Sequence, residues 1–225
     1  MALCFTKKER QELEEKRKEA LSHSILFKLM RISSNLYDLH FYLEKSFAEA
    51  ETDSHNEPFT FVKPLANFAD HVHFTSEEFS LIISLKKPSL TNSLFSLDQI
   101  HNSLIDVFEK YSIIRNDFQN STPAEMNGNK GTCYLTAEEL KVLRPKMIIM
   151  NQIIQKCRTR AKIDYEEAKK TANETLEALN EDLGLKLKIA FLPEKLSELD
   201  EIYELNSKNL STSLNEEGAQ NFSTE

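Results

Sequence analysis

Glycine is nearly missing from this chain. None occurs in the first 127 residues, and the whole sequence of 225 holds four: Gly128, Gly131, Gly184 and Gly218. Glycine lets a backbone turn left-handed or approach a phosphate closely. The nucleotide loops G-x-G-x-x-G and G-x-x-x-x-G-K-[ST], and the nucleophile elbow G-x-S-x-G, therefore cannot be written anywhere in it. Tryptophan is absent while phenylalanine is used 14 times, so Phe and Leu must carry the packing. Cys4, Cys133 and Cys157 are odd in number and far apart, with no C-x-x-C between them. Neither a zinc knuckle nor a disulfide framework is indicated, and the three are read as reduced thiols of a cytoplasmic protein.

Long apolar runs are missing as well. Met147 to Met150 is the longest in the last long helix, against the roughly 20 residues a bilayer span needs. Charge begins at Lys7, which leaves no room for the apolar core of a signal peptide. An excess of positive charge is also lacking: the net charge of −8 argues against a general coat for nucleic acid.

What remains is helix. Thr6 with Glu9 reads as a capping box, and every residue from Lys7 to Glu19 except Gln11 and Leu13 is charged. Residues 1–24 are accordingly a charged helical lead-in. Residues 25–192 are expected to form the bundle domain. Its first seam is Ile25, Leu29, Ile32, Leu36, Leu39 and Leu43, spaced alternately by four and three, and widened by Leu26, Met30, Tyr37 and Phe41. Phe59 to Phe74 is aromatic-rich without a period and holds Pro64, so it is expected to lie irregularly over the bundle.

Thr75 with Glu78 is a second capping box, stapled by Phe74 and Phe79, and its short helix should stop before Pro88. Ser89 is expected to cap a helix whose face runs Leu90, Leu94, Leu97, Leu104, Phe108, Tyr111 and Phe118, broadened by Ile100, Val107 and Ile114. Gln119 to Cys133 is the extended loop. Thr136 with Glu139 is a third capping box. Thr75-Ser-Glu-Glu-Phe79 resembles Thr136-Ala-Glu-Glu-Leu140, but capping chemistry alone generates the same residues.

Pro145 predicts a helix break within two residues of it, because its ring lacks an amide hydrogen and clashes with the preceding turn. A long helix should then run to Leu183, with Gly184 just beyond its end. Leu185, Leu187, Ile189 and Phe191 alternate with Lys186, Lys188 and Ala190, the period of one short strand or extended segment. Residues 193–206 are expected to form a short helix and 207–225 a disordered polar tail. The fold class is thus mainly α, an elongated antiparallel bundle with coiled-coil-like long helices.

Chemistry is harder to find. Asp70, His71 and His73 lie together, with Asp53 and His55 nearby, but no further ligand follows at a telling distance. Asp98-x-x-His101 is one approximation to the Glu-x-x-His turn of a di-iron bundle, without a second copy. Arg17 and His23 have the spacing found in helical RNases, a remote alternative that needs both in one cleft. No catalytic residue, cofactor or metal is expected.

Charge is the strongest signal. Between Leu140 and Ile163 stand Lys141, Arg144, Lys146, Lys156, Arg158, Arg160 and Lys162, and no acid interrupts them. From Asp164 to Asp182 seven acids face two lysines, and from Glu194 onward eight acids again face two. The basic block stands beside apolar Met147, Ile148, Ile149, Ile153 and Ile154. It either pairs with the protein's own acidic helices or meets a partner. Lys156, Arg158, Arg160 and Lys162, within two turns, are the candidate binding face. An acidic protein surface is the first partner expected, with self-association, anionic lipid and nucleic acid as the other readings. The function expected is a non-catalytic helical interaction or scaffold module. The alternative is a ligand-sensing or membrane-peripheral module that uses the last long helix's basic face, the sensor form needing a pocket between the long helices that contains His101 or Arg115.

Overall fold

The computed structural model describes residues 7–50, 57–65, 69–122, 125–127, 130–132, 134–189 and 191. Its elements are α1 (Lys7–Ala50), α2 (Pro58–Phe61), α3 (Ser76–Ser84), α4 (Pro88–Ser121), β1 (Glu125–Asn127), β2 (Lys130–Thr132) and α5 (Ala137–Leu183). The protein is a mainly α bundle in which three long helices pack against each other. At about 1.5 Å per residue, α5 is roughly 70 Å long.

The heptad seam of α1 is the core. Ile25, Leu29, Ile32, Leu36, Leu39 and Leu43 are all 0–1% exposed. They pack with Leu94, Leu97, Phe108 and Tyr111 of α4, and with Met150, Ile154, Cys157 and Ala161 of α5. Of the residues expected to widen these faces, Met30 and Val107 instead point to solvent. Packing runs mainly from α5 to each of the other two, so α5 is the middle element.

Cross-helix pairs fix the directions. Glu44 meets Arg158 and Tyr37 meets Tyr165, so α1 and α5 run antiparallel. Lys87 meets Glu181 and Lys146 meets Asp117, so α4 and α5 do too. Helices α1 and α4 are therefore parallel, and the chain between them must return along the whole bundle. It does so as the aromatic segment expected over the bundle. Tyr42 Oη donates to the Lys63 carbonyl at 2.6 Å and accepts from its N–H at 2.8 Å. Tyr111 donates to the Val62 carbonyl, and Asn151 accepts from the Phe59 N–H at 3.0 Å. Asn102 holds Val72 by both its N–H and its carbonyl.

Both capping boxes within the described residues are formed, at Thr75–Glu78 and Thr136–Glu139. Phe74 and Phe79 meet edge to face at 5.8 Å, the staple expected. The Glu78 carboxylate does more than cap. It is 2% exposed and binds Lys28 and Ser24 of α1, each at 2.6 Å, so it also seats α3 on the bundle. Burial alone would raise its pKa, but those bonds and the Thr75 N–H outweigh burial and hold it below the usual carboxylate value.

Several boundaries differ from expectation. Pro145 does not break the helix: α5 is continuous from Ala137 to Leu183 with Pro145 inside it. Lys141, whose carbonyl loses its partner to the proline, is exposed, so water can satisfy it. Leu143 and Met150, buried on either side, hold the two turns in one line. Helix α4 begins at Pro88 and not after a Ser89 cap, in keeping with proline's preference for the first helical position.

The extended loop contains a two-stranded antiparallel ribbon, with Asn127 opposite Lys130. No strand occurs among described residues 185–191, but burial alternates from Leu185 to Ile189 as in an extended segment on a core. Gly184 ends α5 left-handed, at φ 66°. Thr6 of the first capping box and the helix expected over 194–205 lie outside the described residues.

Candidate functional site

Helix α5 sets the site because α1, α4 and the short α2 pack against it and leave its remaining side open. Its inward stripe, Leu143, Met150, Ile154, Cys157, Ala161 and Ala168, is buried between α1 and α4. At 100° per residue the opposite side carries Lys141, Pro145, Ile148, Gln152, Thr159 and Ile163 near its centre line, and all six are exposed. Val142, Ile149 and Lys156 fall beside them, seven residues apart in turn, and are exposed too. Ile148, Ile149 and Ile163 are 47%, 45% and 53% exposed. The face spans about 33 Å from residue 141 to 163. No acid shows on it until Glu166 and Glu167.

The four candidate basic residues divide into two pairs. Arg158 turns toward α1, where its Nε and Nη2 donate to the two carboxylate oxygens of Glu44 at 2.9 and 2.8 Å. Its guanidinium also lies 4.0 Å over the Phe47 ring. Arg160 donates to Asp164 one turn on, at 2.5 Å, while staying half exposed. Burial pushes the Asp164 carboxyl above the usual range, and Arg160 opposes that shift by its charge and its hydrogen bond. Lys156 and Lys162 are exposed and form no ion pair among the described residues. The block is thus part brace and part open surface.

The apolar neighbours divide in the same way. Ile154 is fully buried and Met147 and Ile153 are partly so, whereas Ile148 and Ile149 face water. Spacing could have shown this, because at 100° per residue Ile148 and Ile163 sit nearly half a turn from the buried seam, and Val142 and Ile149 about a quarter turn from it.

The other candidate chemistries come apart. Arg17 is held by Glu77 of α3 at 2.7 Å, while His23 is exposed and is not among the residues lining the groove beside Arg17. His71 binds Asp106 at 2.8 Å, and His73 lies against Asn102 at 3.1 Å and Asp98 at 3.7 Å. No three His, Cys, Asp or Glu among the described residues could hold a metal ion together. Asp53, His55 and Cys133 lie outside the described residues. Cys157 is buried, and burial pushes its thiol up to about 12, far from a nucleophile.

A cavity of about 560 Å3 lies between α1 and α4, lined by Arg31, Asn35, Asp70, Phe108 and Glu109 among others. His101 and Arg115 do not line it. His101 is 1% exposed and bonded to Asn35 and Asn102, and Arg115 is buried with its Nη2 on the Thr60 carbonyl at 3.3 Å. Both belong to the clamps that hold the returning segment. Among the described residues no helix is long and apolar enough to cross a membrane.

No protein-family model, curated protein or solved structure matches this chain.

Proposed function

We propose that the protein is a non-catalytic helical interaction module whose contact surface is the outer face of α5, and that its partner presents an acidic, partly apolar surface. One observation carries this reading: about 33 Å of exposed helix that mixes isoleucine with unpaired lysine and shows no acid, in a chain of net charge −8. Scattered single hydrophobics on a surface are ordinary. Ile148, Ile149 and Ile163 aligned with Lys156 are not scattered. The isoleucines would gain by leaving water, and the lysines would choose the partner's sign and speed the encounter.

The test is capture from native lysate by the wild-type chain and by Lys156→Glu/Lys162→Glu, with proteins, lipids and RNA measured in the bound fraction. A Lys169→Glu/Lys170→Glu chain, altered further along the same helix, is the control. The reading expects a protein bound by wild type and control, lost from the Lys156/Lys162 variant and released by salt. Recovery of the same molecules by all three chains would overturn it. Lipid or RNA in place of protein, lost on the same variant, would keep the surface and overturn the acidic-protein assignment.

A further inference from the structure

We infer that the outer face of α5 is covered, in the free protein, by the chain's own acidic segment 194–205. This rests on the proposed contact face and names its first occupant. Residues 194–205 read Glu-Lys-Leu-Ser-Glu-Leu-Asp-Glu-Ile-Tyr-Glu-Leu, five acids against one lysine. As a helix, the pattern aligns Leu196, Leu199, Ile202 and Tyr203 on one side and spreads the acids around them. That is the complement of a face carrying Val142, Ile148, Ile149 and Ile163 among Lys141, Lys156 and Lys162 with no acid of its own. No other stretch of the sequence pairs this many acids with so regular an apolar line. Lys7 to Glu19, the other highly charged stretch, mixes both signs and offers only Leu13.

Chain connection favours the contact. After Gly184 the backbone turns back on α5: Asn180, one turn before the helix end, accepts from the Leu187 N–H at 2.8 Å and donates to its carbonyl at 3.0 Å. Leu187, Ile189 and Phe191 pack against the core, so the acidic segment leaves from the bundle's surface and not from a free end. The segment begins three residues after Phe191. Glu166, Glu167, Glu174 and Glu177 on the exposed part of α5 nearer to that point repel it, and the first acid-free stretch it can meet is the one that ends at Ile163. A short tether keeps the segment at an effective concentration on the order of 1 mM. A contact of about 0.1 mM affinity would then be occupied roughly nine-tenths of the time and would weaken an outside partner about tenfold. A partner must displace the segment, so its acidic and apolar groups have to exceed those of residues 194–205.

The experiment places a nitroxide at Gln152→Cys on the outer face, in the full chain with Cys4→Ser and Cys133→Ser. Cys157 is left in place because its buried thiol does not react. Amide signals of residues 194–205 are then compared between oxidised and reduced label. A second sample mixes isotope-labelled chain carrying no nitroxide with unlabelled chain carrying it. The inference expects strong broadening of 194–205 in the first sample, none in the second, and its loss on Lys156→Glu/Lys162→Glu. No broadening in the first sample would overturn it. Broadening in the mixed sample would overturn it in favour of a second copy as occupant. Either failure leaves the contact face itself open to the capture test, because a chain with Glu198, Asp200 and Glu201 changed to Lys should still capture the partner, about tenfold better if the inference holds and equally if it does not.

Discussion

Arg158 of α5 and Glu44 of α1 form a two-pronged ion pair at 2.9 and 2.8 Å, with Phe47 beneath the guanidinium. The pair joins two helices and is half withdrawn from water: the arginine side chain is 31% exposed and the glutamate 12%. Arg158→Ala leaves Glu44 without its fork, and a loss of about 1–3 kcal/mol is expected by chemical denaturation. Lys156→Ala, two residues away and exposed, should change stability by less than about 0.5 kcal/mol. Equal effects would mean that the block does not divide into brace and surface.

Pro145 lies inside α5, exposed, with a carbonyl at Lys141 that lacks its helical partner. Pro145→Ala restores that bond and removes the ring clash. A gain of about 1–3 kcal/mol is expected, read as a rise in melting temperature with helicity kept.

Two residues in left-handed backbone should respond oppositely to substitution. Lys86 has φ 55° at the end of α3 and pays a steric penalty that glycine would not. Lys86→Gly should stabilise by about 1 kcal/mol. Gly184 has φ 66°, and a Cβ there would meet nothing within 4 Å. Gly184→Ala should therefore destabilise by about 1 kcal/mol through conformation alone. Thermal melts of the two variants check both signs.

Acid should weaken the fold through two histidines before it reaches the carboxylates. Burial holds the His101 imidazole below its ordinary value, opposed by Asn102 and reinforced by His71 and Arg31. Burial lowers His40 as well, opposed by Glu44 and reinforced by Lys162 and Arg158. The unfolded chain takes up these protons near pH 6.5 and the folded chain does so only below that. Their contribution is therefore complete above about pH 6.5 and is lost as pH falls through the folded values. Stability measured from about pH 7.5 down to 5 should decline, and His101→Gln should flatten the slope. Glu78, held below the usual carboxylate value, adds the same sign of loss at lower pH.

These particulars show how far the sequence could be read. Periodicity found the α1 seam residue by residue because a heptad of Leu and Ile has one way to be buried. Capping chemistry found the starts of α3 and α5, since Thr and Glu three apart satisfy amides that nothing else nearby could. Pro145 misled because the local penalty is real but smaller than what Leu143 and Met150 gain by staying in register. The strand pair 125–127 and 130–132 was signalled only by Gly128-Asn129, the turn-forming dipeptide that separates the two strands in the sequence. For the site, charge marked the right helix but could not separate Arg158 from Lys156. That division depends on Glu44, more than a hundred residues away in sequence.

The contact face is tested most directly by the affinity of the captured protein for the wild-type chain and for Lys156→Glu/Lys162→Glu, titrated from about 0.05 M to about 0.5 M salt. The account predicts binding at least about tenfold weaker for the variant at low salt, at an unchanged melting temperature, with the difference shrinking as salt rises. Equal affinity of the two chains at every salt concentration, with both fully folded, would contradict it.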